Sequence, residues 1–318
     1  MTHLAERPLN MTGSRIAIPL LVLSTACTAP LFVQNQYILH VMVLILFYVG
    51  YASSWNLLAY SGQVSFGHAA FLGLGGYVAT LVSLNTGLQW IGILVGGAVA
   101  GSIGLLIGVT CVRLREWFLA LVTFGFCIIM EAITIELEWI TAGTFGLAVP
   151  KLLPSLGAYY YLMLFLASAS ILVTYALMRS KIGLALRSIR ENEAEARTTG
   201  INPTKYKLMA FTISTFLTGI SGAAYAYFIG FINPQIFHLD ISFSPVIITV
   251  IGGLGTLGGP IVGAVVFEFI WEFLRILNPS VRLLMIGVVV VIVVVMMPSG
   301  IVPTAESIIE RGKKKTTA

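Results

Sequence analysis

Few side chains in this sequence could carry chemistry, and they lie scattered among long apolar runs. The stretch SGQVSFGH at 61–68 places Ser61, Gln63, Ser65 and His68 close together in a glycine-rich setting. Glu131 sits well inside an apolar segment, with Glu136 and Glu138 near its end. Glu268 and Glu272 share one helical face, and Arg275 follows at helical spacing from Glu272. An ionisable group within hydrocarbon marks a polar path or relay unless a neighbour satisfies it. Gln63, Ser65, His68, Glu131 and Glu268 are therefore candidates for lining a substrate path. His68 also fits a hydrogen-bonded packing histidine, and Glu272–Arg275 fits a self-satisfied pair at the interface. Other chemistries lack a constellation. The cysteines Cys27, Cys111 and Cys127 show no CxxC spacing, and His68 has no partners for a metal. The motifs GxxxxGK[ST] and GxSxG are absent, so no nucleotide site, catalytic residue or metal site is expected.

The elements that must position these groups are membrane helices. Of 318 residues, 58% are hydrophobic and only 10% charged, against about 25% charged in a soluble domain. The expected fold is an all-α polytopic membrane protein. Residues 1–15 form a polar tail, 16–300 the membrane domain and 301–318 a basic tail. Apolar segments are read at 16–33, 37–60, 61–84, 88–112, 117–140, 158–178, 208–232, 244–257, 260–277 and 282–297, about ten in all. The first is read as an uncleaved span rather than a signal peptide, because further spans follow at once. Glycine interrupts two of these regions. At 73–76 either close helix packing or a broken helix fits. At 252–260 a break is favoured, through Gly252, Gly253, Gly255, Gly258, Gly259 and Pro260.

The most polar stretch is RSKIGLALRSIRENEAEARTTGINPTKYK at 179–207, which holds seven of the 18 Lys and Arg. Charges in hydrocarbon cost roughly 2.5–3.5 kcal/mol each even on a lenient scale, so this loop lies outside the bilayer. With the N-terminus inside, fifteen of the 18 basic residues fall in inner loops. The positive-inside bias then places both termini and this loop in the cytoplasm. Residues 184–198 can form a short amphipathic helix, with Glu193 and Arg197 at i, i+4. Gly200 supplies a C-cap and Pro203 a stop. Such a rigid knob suits docking by a soluble ATPase; an ordinary solvated loop is the other reading.

Six motifs occur in order: SGQVSFGHAAFLGLGGYVA, FLALVTFGF, TAGTFGL, RSIRENEAEARTTGINPTKYKLMAFTISTFLTGISGAAYA, VIGGLGTLGGPIVGA and PSGI. This order resembles the LivM type of permease subunit in branched-chain amino acid ABC importers, over about residues 40–303. The resemblance implies an all-helical bundle paired with a second, related permease. It also implies two cytoplasmic ATPase subunits, which use ATP and Mg, and a periplasmic or extracellular substrate-binding protein. On that likeness the segment 184–203 is a coupling helix that docks on the ATPase through Arg187, Arg190, Glu191, Glu193, Glu195, Arg197 and Gly200. No cofactor is expected on this chain, and no nucleic acid. The implied location is the bacterial cytoplasmic (inner) membrane.

The resulting expectation is a permease subunit translocating a small solute, branched-chain or other hydrophobic amino acids first, along a path lined by the third, fifth, eighth and ninth segments. An ion-coupled secondary transporter or channel for a small polar solute such as urea or an amide is the competing class. It would use Glu131 and His68 for coupling.

Overall fold

A computed structural model describes residues 24–33, 35–111, 116–276 and 279–316. The expected N-terminal tail and most of the first apolar segment lie outside the described residues, as do Arg113 and Arg115. Residues 24–32 are helical. After them come α1 (Gln36–Ala59), α2 (His68–Thr86), α3 (Gln89–Cys111), α4 (Glu116–Glu136) and α5 (Leu156–Arg179). Two short helices follow, α6 (Lys181–Glu191) and α7 (Glu193–Thr198), then the long α8 (Pro203–Ile229). The chain ends with α9 (Leu239–Gly252), α10 (Gly259–Phe273), α11 (Pro279–Met296) and α12 (Ile301–Thr316).

Six of these helices, α1 to α5 and α8, are long and apolar enough to cross a membrane. Their amphipathicity is weak because apolar residues occupy the outer face as well as the core. Trp117, Leu121, Ile128 and Ile129 of α4 are all exposed, as are Leu284, Val291 and Val295 of α11. In a soluble protein such a surface would aggregate; in lipid it is solvated. The chain is an all-α, multi-pass membrane protein.

The interior is organised around α1 and α8, which pack on each other. Helices α2 and α3 lie against α8, while α5, α9 and α10 lie against α1. Glycine makes the first group possible. A Cβ on Gly75 would strike the Gly219 backbone, one on Gly96 would strike the Gly75 carbonyl, and one on Gly222 would strike the Leu72 carbonyl. So the glycines at 73–76 are packing glycines inside an unbroken α2, where Gly73 admits the ring of Phe237.

Several boundaries differ from expectation. The third segment begins at His68 rather than Ser61, because 61–67 is non-helical. The fifth stops at Glu136, with a separate turn of helix at Glu138–Thr141. The eighth and ninth become α9, 14 residues, and α10, 15 residues. At about 1.5 Å per residue each is only about 21–22 Å long, short of the roughly 30 Å hydrocarbon core. Before α9 the chain runs into the bundle: Phe237 lies beside Gly73, and its carbonyl accepts from Cys127 Sγ at 3.2 Å. The single helix expected at 184–198 is two helices, since Asn192 is extended between them (φ −156, ψ 107). Its side chain caps α7 by accepting from the amides of Ala194 and Glu195. The tail opens as a helix, α12, with Pro303 and Val302 set against Gly253 and Gly258.

At the end opposite α6, a two-stranded antiparallel pair, β1 (Leu147–Ala148) and β2 (Phe231–Ile232), ties two connections together, with Leu147 opposite Ile232.

Candidate functional site: two broken segments inside the bundle

The turn between α1 and α2 is buried yet irregular, so its backbone must be satisfied by side chains. Trp55 Nε1 donates to the Ser65 carbonyl at 2.7 Å. The Phe66 amide donates to Thr123 Oγ1 of α4 at 3.1 Å, and the Ser242 hydroxyl of α9 donates to the Phe66 carbonyl. Three helices thus hold one turn.

His68 opens α2 and is fully buried. Its Nδ1 lies 3.0 Å from Ser65 Oγ and its Nε2 lies 2.8 Å from Ser214 Oγ. Ser214 spends its hydroxyl proton on the Ser54 carbonyl, 2.6 Å away. Nε2 must therefore carry the ring proton and donate to Ser214, while Nδ1 accepts from Ser65. Both ring nitrogens are used, which is the packing arrangement. Gln63 is also buried; its Oε1 lies 3.0 Å from Ser61 Oγ, and its Nε2 has no hydrogen-bond partner among the described residues.

The other two candidates lie elsewhere. Glu131 Oε1 is 3.1 Å from His238 Nε2, and both side chains are partly exposed. His238 is the residue immediately before α9. Glu268 of α10 is buried, and neither carboxylate oxygen has a hydrogen-bond partner among the described residues. The five path candidates therefore form three separate sets, only one of them a network. The Glu272–Arg275 pair is present at 3.0 Å. His40, the other histidine within an apolar helix, is omitted by the sequence reading; it packs on Phe228 with ring centroids 4.9 Å apart.

The second broken segment is 253–258, between α9 and α10. The flanking helices touch backbone to backbone, since a Cβ on Gly252 would meet the Gly259 carbonyl and one on Gly263 the Ile248 carbonyl. Those pairings make α9 and α10 an antiparallel hairpin. Gly253 (φ +130) and Gly255 (φ +72) adopt backbone conformations that disfavour side chains. Asn56 of α1 grips the turn from below: its Nδ2 donates to the Thr256 carbonyl at 2.8 Å and its Oδ1 accepts from the Gly255 amide at 2.9 Å. The break expected at 252–260 is thus observed, with Gly252 ending α9 and with Gly259 and Pro260 opening α10.

Beside this turn lies α6, which α7 follows. Leu186 and Ile189 are buried, but Leu184 is exposed. Arg187, Glu191, Glu195, Arg197 and Gly200 are exposed. The Arg190 guanidinium lies where a Cβ on Gly255 would stand. Glu193 is committed inward: it pairs with Arg197 at 2.7 Å and with the buried Lys207 of α8 at 2.6 Å. Burial raises its pKa, but Lys207 and Arg197 outweigh that and hold it below the ordinary 4.5. Gly200 (φ +84) closes α7 with a Schellman motif, its amide on the Arg197 carbonyl and that of Ile201 on the Ala196 carbonyl. Asn202 then caps α8, whose first residue is Pro203. The signal for the Asn192 break was legible as Asn-Glu-Ala-Glu, an N-cap with an acid at N3.

Helices crossing a membrane, two irregular segments buried inside them and a charged double helix against one segment define the class: an integral membrane transport core. The profile of the branched-chain amino acid transport system / permease component family matches residues 37–294. The chain belongs to that family. The permease protein LivM of a high-affinity branched-chain amino acid transport system in Salmonella typhimurium is 30% identical over 76% of this chain and 64% of its own length. The LivM of Escherichia coli is 28% identical over 90% of this chain and 74% of its own. A probable LivM of Methanocaldococcus jannaschii is 24% identical over 71% and 72%. The chain thus spans about two thirds to three quarters of the length of these relatives. No solved structure matches.

Proposed function

We propose that this chain is the membrane-embedded permease subunit of an ATP-driven importer for branched-chain or other hydrophobic amino acids. The observation that carries the reading is family membership over residues 37–294, supported by a charged helical knob seated on a broken membrane segment. The exposed face of α6 and α7, with Arg187, Glu191, Glu195 and Arg197, is the docking surface for a cytoplasmic ATPase, making these helices the coupling segment. A second, related permease covers part of the apolar outer surface, and a binding protein outside the membrane delivers the substrate. ATP and Mg are used by the ATPase subunits, and this chain binds no cofactor. The location is the bacterial cytoplasmic membrane with both termini inside.

Ten crossings fit this orientation. The eighth is composite, made of the irregular stretch 230–238 and the half-length α9. The path runs along α2, α4, α9 and α10, past Gln63, Ser65, Glu131 and Glu268. Reconstitution tests the reading. Vesicles holding the complete importer, loaded with ATP and given binding protein outside, should concentrate labelled leucine. This chain reconstituted without the ATPases should not, and concentrative uptake by it alone overturns the proposal.

A further inference from the structure

The glycine turn at 253–258 has little side-chain substance of its own, and groups from three other elements hold it. Asn56 of α1 closes two hydrogen bonds on the backbone of Gly255 and Thr256, at 2.9 and 2.8 Å. From α12, Pro303 stands against Gly253. From α6, the guanidinium of Arg190 fills the place beside Gly255 that a side chain would need. Gly255 at φ +72 gives that guanidinium direct access to the main chain. Asn56 is itself buried in the last turn of α1, a helix packed at the centre of the bundle, so its grip is fixed relative to the bundle core.

We propose that Arg190 and Asn56 form a latch on the 253–258 turn, through which a shift of α6 is passed to the α9–α10 hairpin. The inference rests on the coupling role given to α6 above, and it names the residues that act. The hairpin can carry the displacement because its helices are in backbone contact at Gly252–Gly259 and Ile248–Gly263, which leaves no compressible side-chain layer. At its far end, Ser242 of α9 donates to the Phe66 carbonyl in the irregular segment before His68. Arg190 on one side and Ser242 on the other therefore connect the charged surface to the buried 61–67 turn in one continuous chain of contacts. Arg190 acts through the turn and is a positioning residue. Leu186 and Ile189 anchor its helix to the core, and Arg190 reaches from α6 to the turn.

Two readouts test the latch, using Arg190→Ala, Asn56→Ala and the double variant. In the purified full-length chain, amide hydrogen exchange is followed across 253–258. The latch predicts faster exchange at this turn in Arg190→Ala, with α8 protection unchanged. In the reconstituted importer, leucine taken up per ATP hydrolysed should fall about tenfold in each single variant, in the range of a typical inter-site coupling. The double variant should be no worse than the poorer single, because both residues act on one element. Unaltered exchange in Arg190→Ala, or losses that multiply in the double variant, overturns the latch. Arg190 is on the surface and its loss leaves the core intact, so exchange in that variant decides if Asn56→Ala does not fold. If the wild-type importer takes up no leucine, the substrate reading fails, and the exchange result still decides the latch.

Discussion

His68 has both ring nitrogens bound to serine hydroxyls, so neither is left without a partner. If it is structural, Ser214→Ala strands a buried imidazole N–H and lowers stability by about 1–3 kcal/mol. Thermal melting in detergent should report that loss, while the surviving folded fraction transports normally. A relay role would show the reverse, normal melting with lost uptake. Glu193 makes a different point. Its side chain holds α7 onto Lys207 of α8, so Glu193→Ala is expected to release α7 and expose 193–200 to trypsin. Glu191→Ala removes only an exposed charge; it should leave the trypsin pattern intact and impair ATPase docking. The sign of the pH effect follows from the lowered Glu193 pKa. Its contribution is complete above the ordinary carboxylate range and is lost as pH falls through the lower folded-state value. Hydrogen-exchange protection factors at 193–200 should therefore fall on acidification, and salt should enhance the loss because Arg197 is exposed.

At the scale of elements, glycine plays two roles that composition alone does not separate. In α2, α3 and α8 it removes the side-chain layer between helices. Gly222→Ala would drive a methyl group into the Leu72 carbonyl, and overpacking of this kind costs about 1–3 kcal/mol or more. A drop in melting temperature together with loss of protection in both α2 and α8 is the expected result. In 253–258 glycine instead permits positive φ and contact with Asn56 and Arg190. The split at Asn192 belongs here too. It turns the polar stretch into two short helices that present Arg190 to the turn and Glu193 to Lys207. Capping motifs announce such a split locally, which is why Gly200 and Pro203 were readable and Asn192 could have been.

For the whole molecule, apolar residues on the outer faces of α4 and α11 require lipid or a partner subunit to cover them. Purified alone, the chain should need detergent or nanodiscs to remain dispersed. A complex with a second permease should protect part of that surface from a membrane-soluble photolabel. Uniform labelling of α4 and α11 in the assembled importer would mean that the partner sits elsewhere.

Composition, the run lengths and the charge bias are local properties, and they sufficed for the class of protein, the approximate segments and the polar knob. The glycine break at 253–258 and the stop at Gly200 were also local, because turn chemistry is written in the residues that turn. What only the tertiary structure decided is which polar groups meet. Ser214 lies 146 residues from His68, and Asn56 lies 199 residues from Gly255. Their pairings depend on how α1, α2, α8 and α9 cross, and no periodicity records that. The same cause separates Glu131, which finds His238, from Glu268, which is buried without a hydrogen-bond partner among the described residues. Two carboxylates on apolar helices read alike in sequence, and packing gives each its surroundings.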